Sequence, residues 1–303
     1  MINDLNQLSS RDLLEMYARL GTFDKCANAI GVNRKTWAKY WYENALPTPT
    51  CINKTDYEPN KYRVAVCGDL HFGSKQAQPT LFLEFVDKMF NEEIKTLIIL
   101  GDIVEGLSKR DGSVHHRFLH SIDNIYDYTA EKFDQFADNF EKIHIIEGNH
   151  DATLNKRDDG FDLCRHLSDD FRTIHYHPAP ISSINPVTID GGVHAIMYHG
   201  SGNCTKNLTQ RTRTKTIDFL NMGREFSCLL AAHCHRSSFD KWLNVYGISV
   251  GCFQTITDYL ATKGMVPEIG GTVLEYNINR KGKICNLVPV QYNYDDKIME
   301  HDY

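Results

Sequence analysis

Residues 63–71, RVAVCGDLH, and 96–102, TLIILGD, stand on either side of LFLEFVDKMF at 81–90. The outer stretches are short apolar runs rich in Val and Ile, each meeting Gly-Asp, and read as buried strands. Between them apolar residues recur at three- and four-residue spacing, the pattern of a helix with one buried face. Strand, helix, strand in that order makes a βαβ unit, and so an α/β protein. Outward from this unit, a helical stretch over 122–140 precedes a third strand, IHIIEGN at 143–149, and shorter strands are expected near 173–176, 195–199 and 228–233. GTVLEYNI and KICNLVPV, separated by NRKG, read as an antiparallel hairpin.

The chain has 303 residues, 42% hydrophobic and 24% charged, which excludes a disordered or fibrous protein and leaves room for about two domains. Its apolar runs fall far short of the roughly 20 residues of a membrane helix, and MINDLNQLSS has neither a basic start nor an apolar core. A cytoplasmic protein with no membrane partner is the expectation. Nine cysteines, none in a CxxC pair, suit a reducing compartment better than a disulfide framework. The net charge of −6 means that phosphate binding must rely on local basic clusters or bound cations.

Chemistry in an α/β sheet gathers at the carboxyl ends of strands. Five short segments end or follow apolar runs there: Asp69-Leu70-His71, Gly101-Asp102, Gly148-Asn149-His150-Asp151, His199, and His233-Cys234-His235. Side chains two apart in a strand point the same way, so Asp69 with His71, and His233 with His235, each form a two-pronged grip. Carboxylate, amide and imidazole donors together suit Mn, Fe or Zn. Two ions need a shared ligand, and Asp102 is the natural one.

These motifs, GDLH, GDIVEG, GNHD, YHG and AHCH, resemble the signature of the calcineurin-like metallophosphoesterases over residues 63–253. The resemblance implies a two-sheet αββα sandwich with a dinuclear metal centre at one edge. It gives Asp69, His71, Asp102 and His235 to one ion, and Asp102, Asn149, His199 and His233 to the other. Mn2+ leads as the metal, with Fe, Zn or Mg as alternatives. Two such ions about 3.5 to 4 Å apart polarise a phosphoryl group and make a bridging hydroxide available for in-line attack on phosphorus. By the same likeness His150 protonates the leaving oxygen, with Glu105 as its catalytic partner, while Asp151 caps or orients the loop. Ala232 stands where the family keeps glycine, and His194 competes in sequence with His199, although His199 ends the apolar run AIMY.

GDLHFGSK is similar to the opening motif of SbcD-like DNA repair nucleases, and GDIVEG, IDNIYDY and IIEGNHDA are similar to the small, exonuclease-bearing subunit of archaeal D-family DNA polymerases. Two basic clusters, His116 with Arg117 and Arg211 with Arg213 and Lys215, are candidates for a phosphate track. The expectation is therefore a DNA nuclease or exonuclease. The alternatives are a phosphatase or phosphodiesterase for nucleotides and a DNA-binding regulator with an inactive metal domain.

Residues 1–46 read as three short helices capped by Ser9 or Ser10, Thr22 and Asn33, with Gly21 and Gly31 as stops. Ala27, Gly31 and Trp37 have the spacing of a helix-turn-helix module, with Ile30, Val32 and Tyr40 also turned inward. Arg34, Lys35 and Lys39 would share the outer face of the third helix, the one laid against DNA. Residues 47–60, with three prolines, read as a linker, 61–292 as the phosphoesterase domain, and 293–303 as an acidic, solvated tail.

Overall fold

The computed structural model describes Met16, Leu20, residues 22–37, Tyr40, 61–108, 114–156, 160–180, 183–202, Cys204, 208–279 and 282–303. The chain divides into two compact units, Met1–Asp56 and Tyr57–Tyr303.

In the first unit, helix α1 (Phe23–Ile30) starts at Thr22, whose side chain accepts from the Lys25 N–H, and stops at Gly31 with φ 81°. The Asn33 side chain accepts from the Thr36 N–H (2.9 Å) where helical backbone resumes. Cys26, Ala27 and Trp37 form a small buried core, against which Met16, Leu20, Ile30, Val32 and Tyr40 pack. Arg34 and Lys35 are exposed. Ser9, Ser10, Lys39 and the 47–60 linker lie outside the described residues.

The second unit opens with β1 (Tyr62–Cys67), α2 (Pro79–Asn91), β2 (Thr96–Ile99), α3 (Ile122–Asp134), β3 (Lys142–Ile145), α4 (Ala152–Asn155), α5 (Leu163–Asp170) and β4 (Ile174–Tyr176). It continues with β5 (Asn185–Ile189), β6 (Val193–His199), α6 (Leu208–Asn221), β7 (Cys228–Ala232), β8 (Ser238–Trp242), β9 (Val245–Ser249), α7 (Asp258–Thr262), β10 (Gly270–Ile278) and β11 (Ile284–Asn293). Among the described residues one sheet runs β11-β10-β1-β2-β3-β4 and the other β5-β6-β7-β9-β8. β1, β2, β3 and β4 pair in parallel, as do β6, β7 and β9.

Alternation along β1 and β2 explains the sandwich. Val64, Val66, Ile98 and Leu100 face Met197, Leu230 and Ile248 of the second sheet across the inner core. Ala65, Cys67, Leu97 and Ile99 face Phe82, Phe85, Phe133 and Leu167 of the helices. A strand buried on both faces is apolar throughout, so these runs lack polar alternation. On the outer face of the second sheet, Tyr198, Leu229 and Ala231 pack with Phe219 of α6.

One expectation is corrected. The 122–140 helix ends at Asp134, and a 3-10 turn at Ala137–Asn139 follows. The break at Phe136 (φ −138°) brings its ring to 5.0 Å from Phe133 and 5.2 Å from Phe82. The acidic tail is largely exposed and is tied to the domain at a few points. Tyr294 is buried, Asp295 accepts from the Ile269 N–H (2.7 Å), and Asp302 accepts from the Thr80 N–H (3.0 Å) in the first turn of α2. A carboxylate there satisfies a helix N–H that lacks an intrahelical partner, which gives the tail charges a structural place.

Candidate metal centre

Parallel strands bring the five motifs to one edge of the sandwich. Asp69 and His71 follow β1, Asp102 follows β2, Asn149 and His150 follow β3, His199 ends β6, and His233 and His235 follow β7. The loops are laced by backbone bonds: the Asp69 N–H donates to Gly101 (2.9 Å), His71 to the Asp102 carbonyl (3.0 Å) and Phe253 to the Asp69 carbonyl (3.0 Å). Across the two sheets, the His233 N–H donates to Asp69 Oδ2 (2.8 Å).

Asp69, His71, Asp102, His233 and His235 all have positive φ, between 48° and 89°. That conformation is costly for residues with a Cβ, and its concentration here shows that tertiary contacts impose it. Glycines make the close approach feasible. A Cβ on Gly148 would lie 2.1 Å from the Asp102 nitrogen, and one on Gly101 would lie 2.7 Å from the Gly148 nitrogen. Ala232 fits because it faces Gly68, where a second Cβ would stand 3.1 Å from its methyl.

Hydrogen bonds settle which ring nitrogens are free. His199 Nδ1–H donates to the Leu100 carbonyl (2.6 Å), so its Nε2 confronts Asp102 Oδ2 at 3.1 Å with a lone pair. His71 Nδ1–H donates to Glu105 Oε2 (2.9 Å), turning Nε2 toward His235 Nε2 (3.2 Å), Asp102 Oδ2 (3.9 Å) and Asp69 Oδ1 (4.0 Å). His233 Nε2–H donates to the Gly202 carbonyl (2.8 Å), which leaves Nδ1 free. Asp69 Oδ1, Asn149 Oδ1 and His199 Nε2 are buried with no hydrogen-bond partner. Asp69, His71 and His235 form one cluster of potential ligand atoms, all within 4.8 Å of one another, and Asp102, His199 and His233 form another. Buried acceptors converging without donors fit divalent cations, and a carbonyl or carboxylate on the far ring nitrogen is the usual support of a ligating histidine.

Burial and mutual charge shift all of these groups. Burial raises Asp69 to about 6, with His199 and His71 opposing and Asp102 adding. Burial would lower His199, but the adjoining Asp102 carboxylate outweighs it and lifts the ring to about 9. His71 likewise reaches about 9, burial being outweighed by Glu105, Asp102 and Asp69. Asp102 lies well below the usual carboxylate range because His199, His150 and His71 overcome its burial. His233 is lowered to about 4 by burial and then by His199, and His235 is lowered by burial and then by His71.

Around these groups, His150 donates its backbone N–H to Asp102 Oδ1 (2.7 Å) and its Nδ1–H to the Glu105 carbonyl (2.9 Å). Buried Asp151 accepts from the Val104 N–H (3.0 Å) and the Gly148 N–H (2.9 Å), tying the β2 and β3 loops together. Of the basic clusters, Arg211 lies against Gly200 and acts on His233, whereas Arg213 pairs with Asp240 and Lys215 with Asp218 (3.1 Å). Arg117 is buried and donates to the Gly106 carbonyl (2.9 Å), and His116 pairs with Asp258 (3.2 Å).

Sequence reasoning missed Gln254, which is buried and donates from Nε2 to Glu105 Oε2 and Ser74 Oγ, both at 3.0 Å. Its signal was available: Gln254 also follows an apolar run, VGCF. The sequence also gave no warning of the disulfide between Cys204 and Cys234. The β6 and β7 register pairs His199 with Ala232, which sets the two cysteine-bearing loops side by side.

With this geometry in view, the family model for calcineurin-like phosphoesterases matches residues 62–253, well over half of the chain. The chain belongs to the calcineurin-like phosphoesterase family. Among relatives of this phosphoesterase, the DNA polymerase II small subunit of Halobacterium salinarum is 33% identical over 145 residues, 46% of this chain and 27% of the relative. That of Methanothermobacter thermautotrophicus is 23% identical over 252 residues, 69% of this chain and 51% of the relative. The phosphoesterase chain thus spans about half or less of these relatives' length. A solved structure described as a novel archaeal phosphodiesterase aligns with 76% of this chain and 99% of its own, at 15% identity and a TM-score of 0.43. No described helix is long and apolar enough to cross a membrane.

Proposed function

We propose that this phosphoesterase is a phosphodiesterase that hydrolyses DNA with two divalent metal ions, Mn2+ foremost. The observation that carries the reading is the convergence of buried, unpartnered acceptors, Asp69 Oδ1, Asn149 Oδ1 and His199 Nε2, beside the Asp102 carboxylate. One ion would be held by Asp69, His71, Asp102 and His235, and the other by Asp102, Asn149, His199 and His233. Two such ions would supply Lewis acidity at the phosphoryl group and a hydroxide nucleophile near neutral pH.

The chain's own groups do the remaining work. Glu105 and the Leu100 carbonyl hold the His71 and His199 rings in the tautomer that directs Nε2 inward. His150, anchored through Nδ1 and partly exposed, has Nε2 left to deliver a proton to the leaving oxygen. Arg211, beside His233, offers a cation to a phosphate oxygen.

DNA as substrate is supported by the name of the relatives and by the exposed Arg34 and Lys35 of the N-terminal unit, which we read as a DNA-contacting helix-turn-helix module. A second reading, hydrolysis of a small phosphoester such as a nucleotide, is favoured by the engagement of Arg213 and Lys215 with acidic partners, which shortens the basic track to Arg211.

The test compares end-labelled single- and double-stranded DNA with bis-p-nitrophenyl phosphate, in the presence of Mn2+, for wild type and Asp102→Ala. DNA cleavage that disappears in Asp102→Ala is the expected outcome. Turnover of the small diester without DNA cleavage selects the second reading, and no metal-dependent turnover of either rejects both.

A further inference from the structure

A second group of ligating side chains lies at the free edge of the first sheet. His144 of β3 is the register partner of His175 in β4. His177 continues that pairing, its N–H donating to the Ile145 carbonyl (3.0 Å). Aligned residues of a parallel pair, and residues two apart on a strand, point to the same face, so the three histidines share one face of β3 and β4. Ile143 and Ile145 occupy the opposite face, in the core beneath the helices.

His144 Nδ1 stands 3.0 Å from His177 Nε2, with the ring centroids 5.1 Å apart. The His175 ring is 5.6 Å from that of His144. Two nitrogens held about 2.0–2.1 Å from one tetrahedral zinc ion stand about 3.3 Å apart, so the first pair is already at chelating separation. The third ring belongs to an exposed residue on the sheet edge, and a rotation of its side chain is needed to bring a nitrogen up to the other two. His144 is buried, and its Nε2 makes no hydrogen bond, so His177 is what orients the ring among the described residues.

The cluster is also chemically ready for a cation. Burial, followed by His177, His175 and Lys142, lowers His144 to about 4, and burial with His175 lowers His177. Both rings are therefore neutral near pH 7, and a ligating imidazole must be neutral. Three imidazoles without thiolate or carboxylate suit zinc, copper or nickel better than magnesium or calcium.

We propose that His144, His175 and His177 form a second transition-metal site, sharing no residue with the phosphoesterase centre, that binds Zn2+ through three imidazole nitrogens. The ion fastens edge strand β4 to β3 and keeps an open side toward water.

Equilibrium titration of the intact protein with Zn2+ against a chromogenic chelator tests the site. Wild type should take up one equivalent more than His175→Ala/His177→Ala, while both turn over the small diester equally. His175 is exposed and His177 half-buried, and an unchanged circular dichroism spectrum of the double variant checks that its fold is kept. His144→Gln should lose the same equivalent, and with Cu2+ the electron paramagnetic resonance of wild type should carry imidazole nitrogen couplings that the double variant lacks. Equal zinc uptake by wild type and the double variant overturns the proposal. So does a folded His144→Gln protein that retains the extra equivalent, because the two edge histidines would then suffice.

Discussion

His150 is held at two points, by its backbone N–H on Asp102 and by Nδ1–H on the Glu105 carbonyl, and neither bond consumes Nε2. His150→Ala should therefore retain bound metal and lose turnover by about 10² to 10⁴, the usual worth of a positioned proton donor. Metal content and single-turnover rate, measured on one sample, check this; a rate equal to wild type removes His150 from the chemistry. His144 makes a different prediction. Its folded pKa, about 4, lies below the ordinary value of 6.5, so between those limits the unfolded chain binds the proton and the folded one does not. Stability from this group is complete above about pH 6.5 and declines as pH falls toward 4. Urea midpoints measured in chelator from pH 7.5 to 4.5 should fall, and His144→Phe should flatten the decline. An equally steep profile in the variant would assign the loss to other groups.

At the scale of elements, the carboxyl ends of β1, β2, β3 and β7 act as one knot of loops. Asp151 ties the β2 loop to the β3 loop, and Gly148 allows Asp102 to pass against the backbone. Gly148→Ala would force a Cβ to 2.1 Å from the Asp102 nitrogen, so the loops must part. We expect this variant to lose metal uptake and to melt well below wild type. Gly223→Ala is the comparison, since Gly223 has φ 75° in open space and should cost only about 1 kcal/mol of left-handed strain. Equal melting temperatures for the two variants would mean that the contact is relieved without cost. The βαβ core and the hairpin were legible because an apolar run and a three- or four-residue apolar period are local signals. β5, β8 and β9 escaped notice. The sequence of β5, NPVTI, is only five residues long and carries a proline, and β8 presents mostly polar or exposed residues.

For the molecule as a whole, three buried clusters among the described residues lie within residues 57–303 and a small one within residues 1–56. A chain beginning at residue 57 should fold with one cooperative transition and turn over bis-p-nitrophenyl phosphate as the full chain does. Its affinity for DNA should fall and depend less steeply on salt, because Arg34, Lys35 and Lys39 are gone. Unchanged DNA affinity would dismiss the N-terminal unit as a DNA-binding module. Shortening the other end has the opposite meaning: the tail fills a place on α2 through Asp302, and its removal should lower the melting temperature.

What the sequence determined by itself was the order of strands and helices in the central unit and the identity of the ligand-type residues, since each Asp, Asn or His stands beside its own apolar run. The tertiary structure decided how they face one another. Asp69 and His233 are 164 positions apart, and only the packing of one sheet on the other lets the His233 N–H reach the Asp69 carboxylate. Gln254 behind Glu105, the Cys204–Cys234 disulfide and the three histidines on β3 and β4 have the same cause. Local patterns report which way a side chain faces along its own segment. Strand register and sheet stacking decide which distant segment it meets, and they are set by burial summed over the whole core.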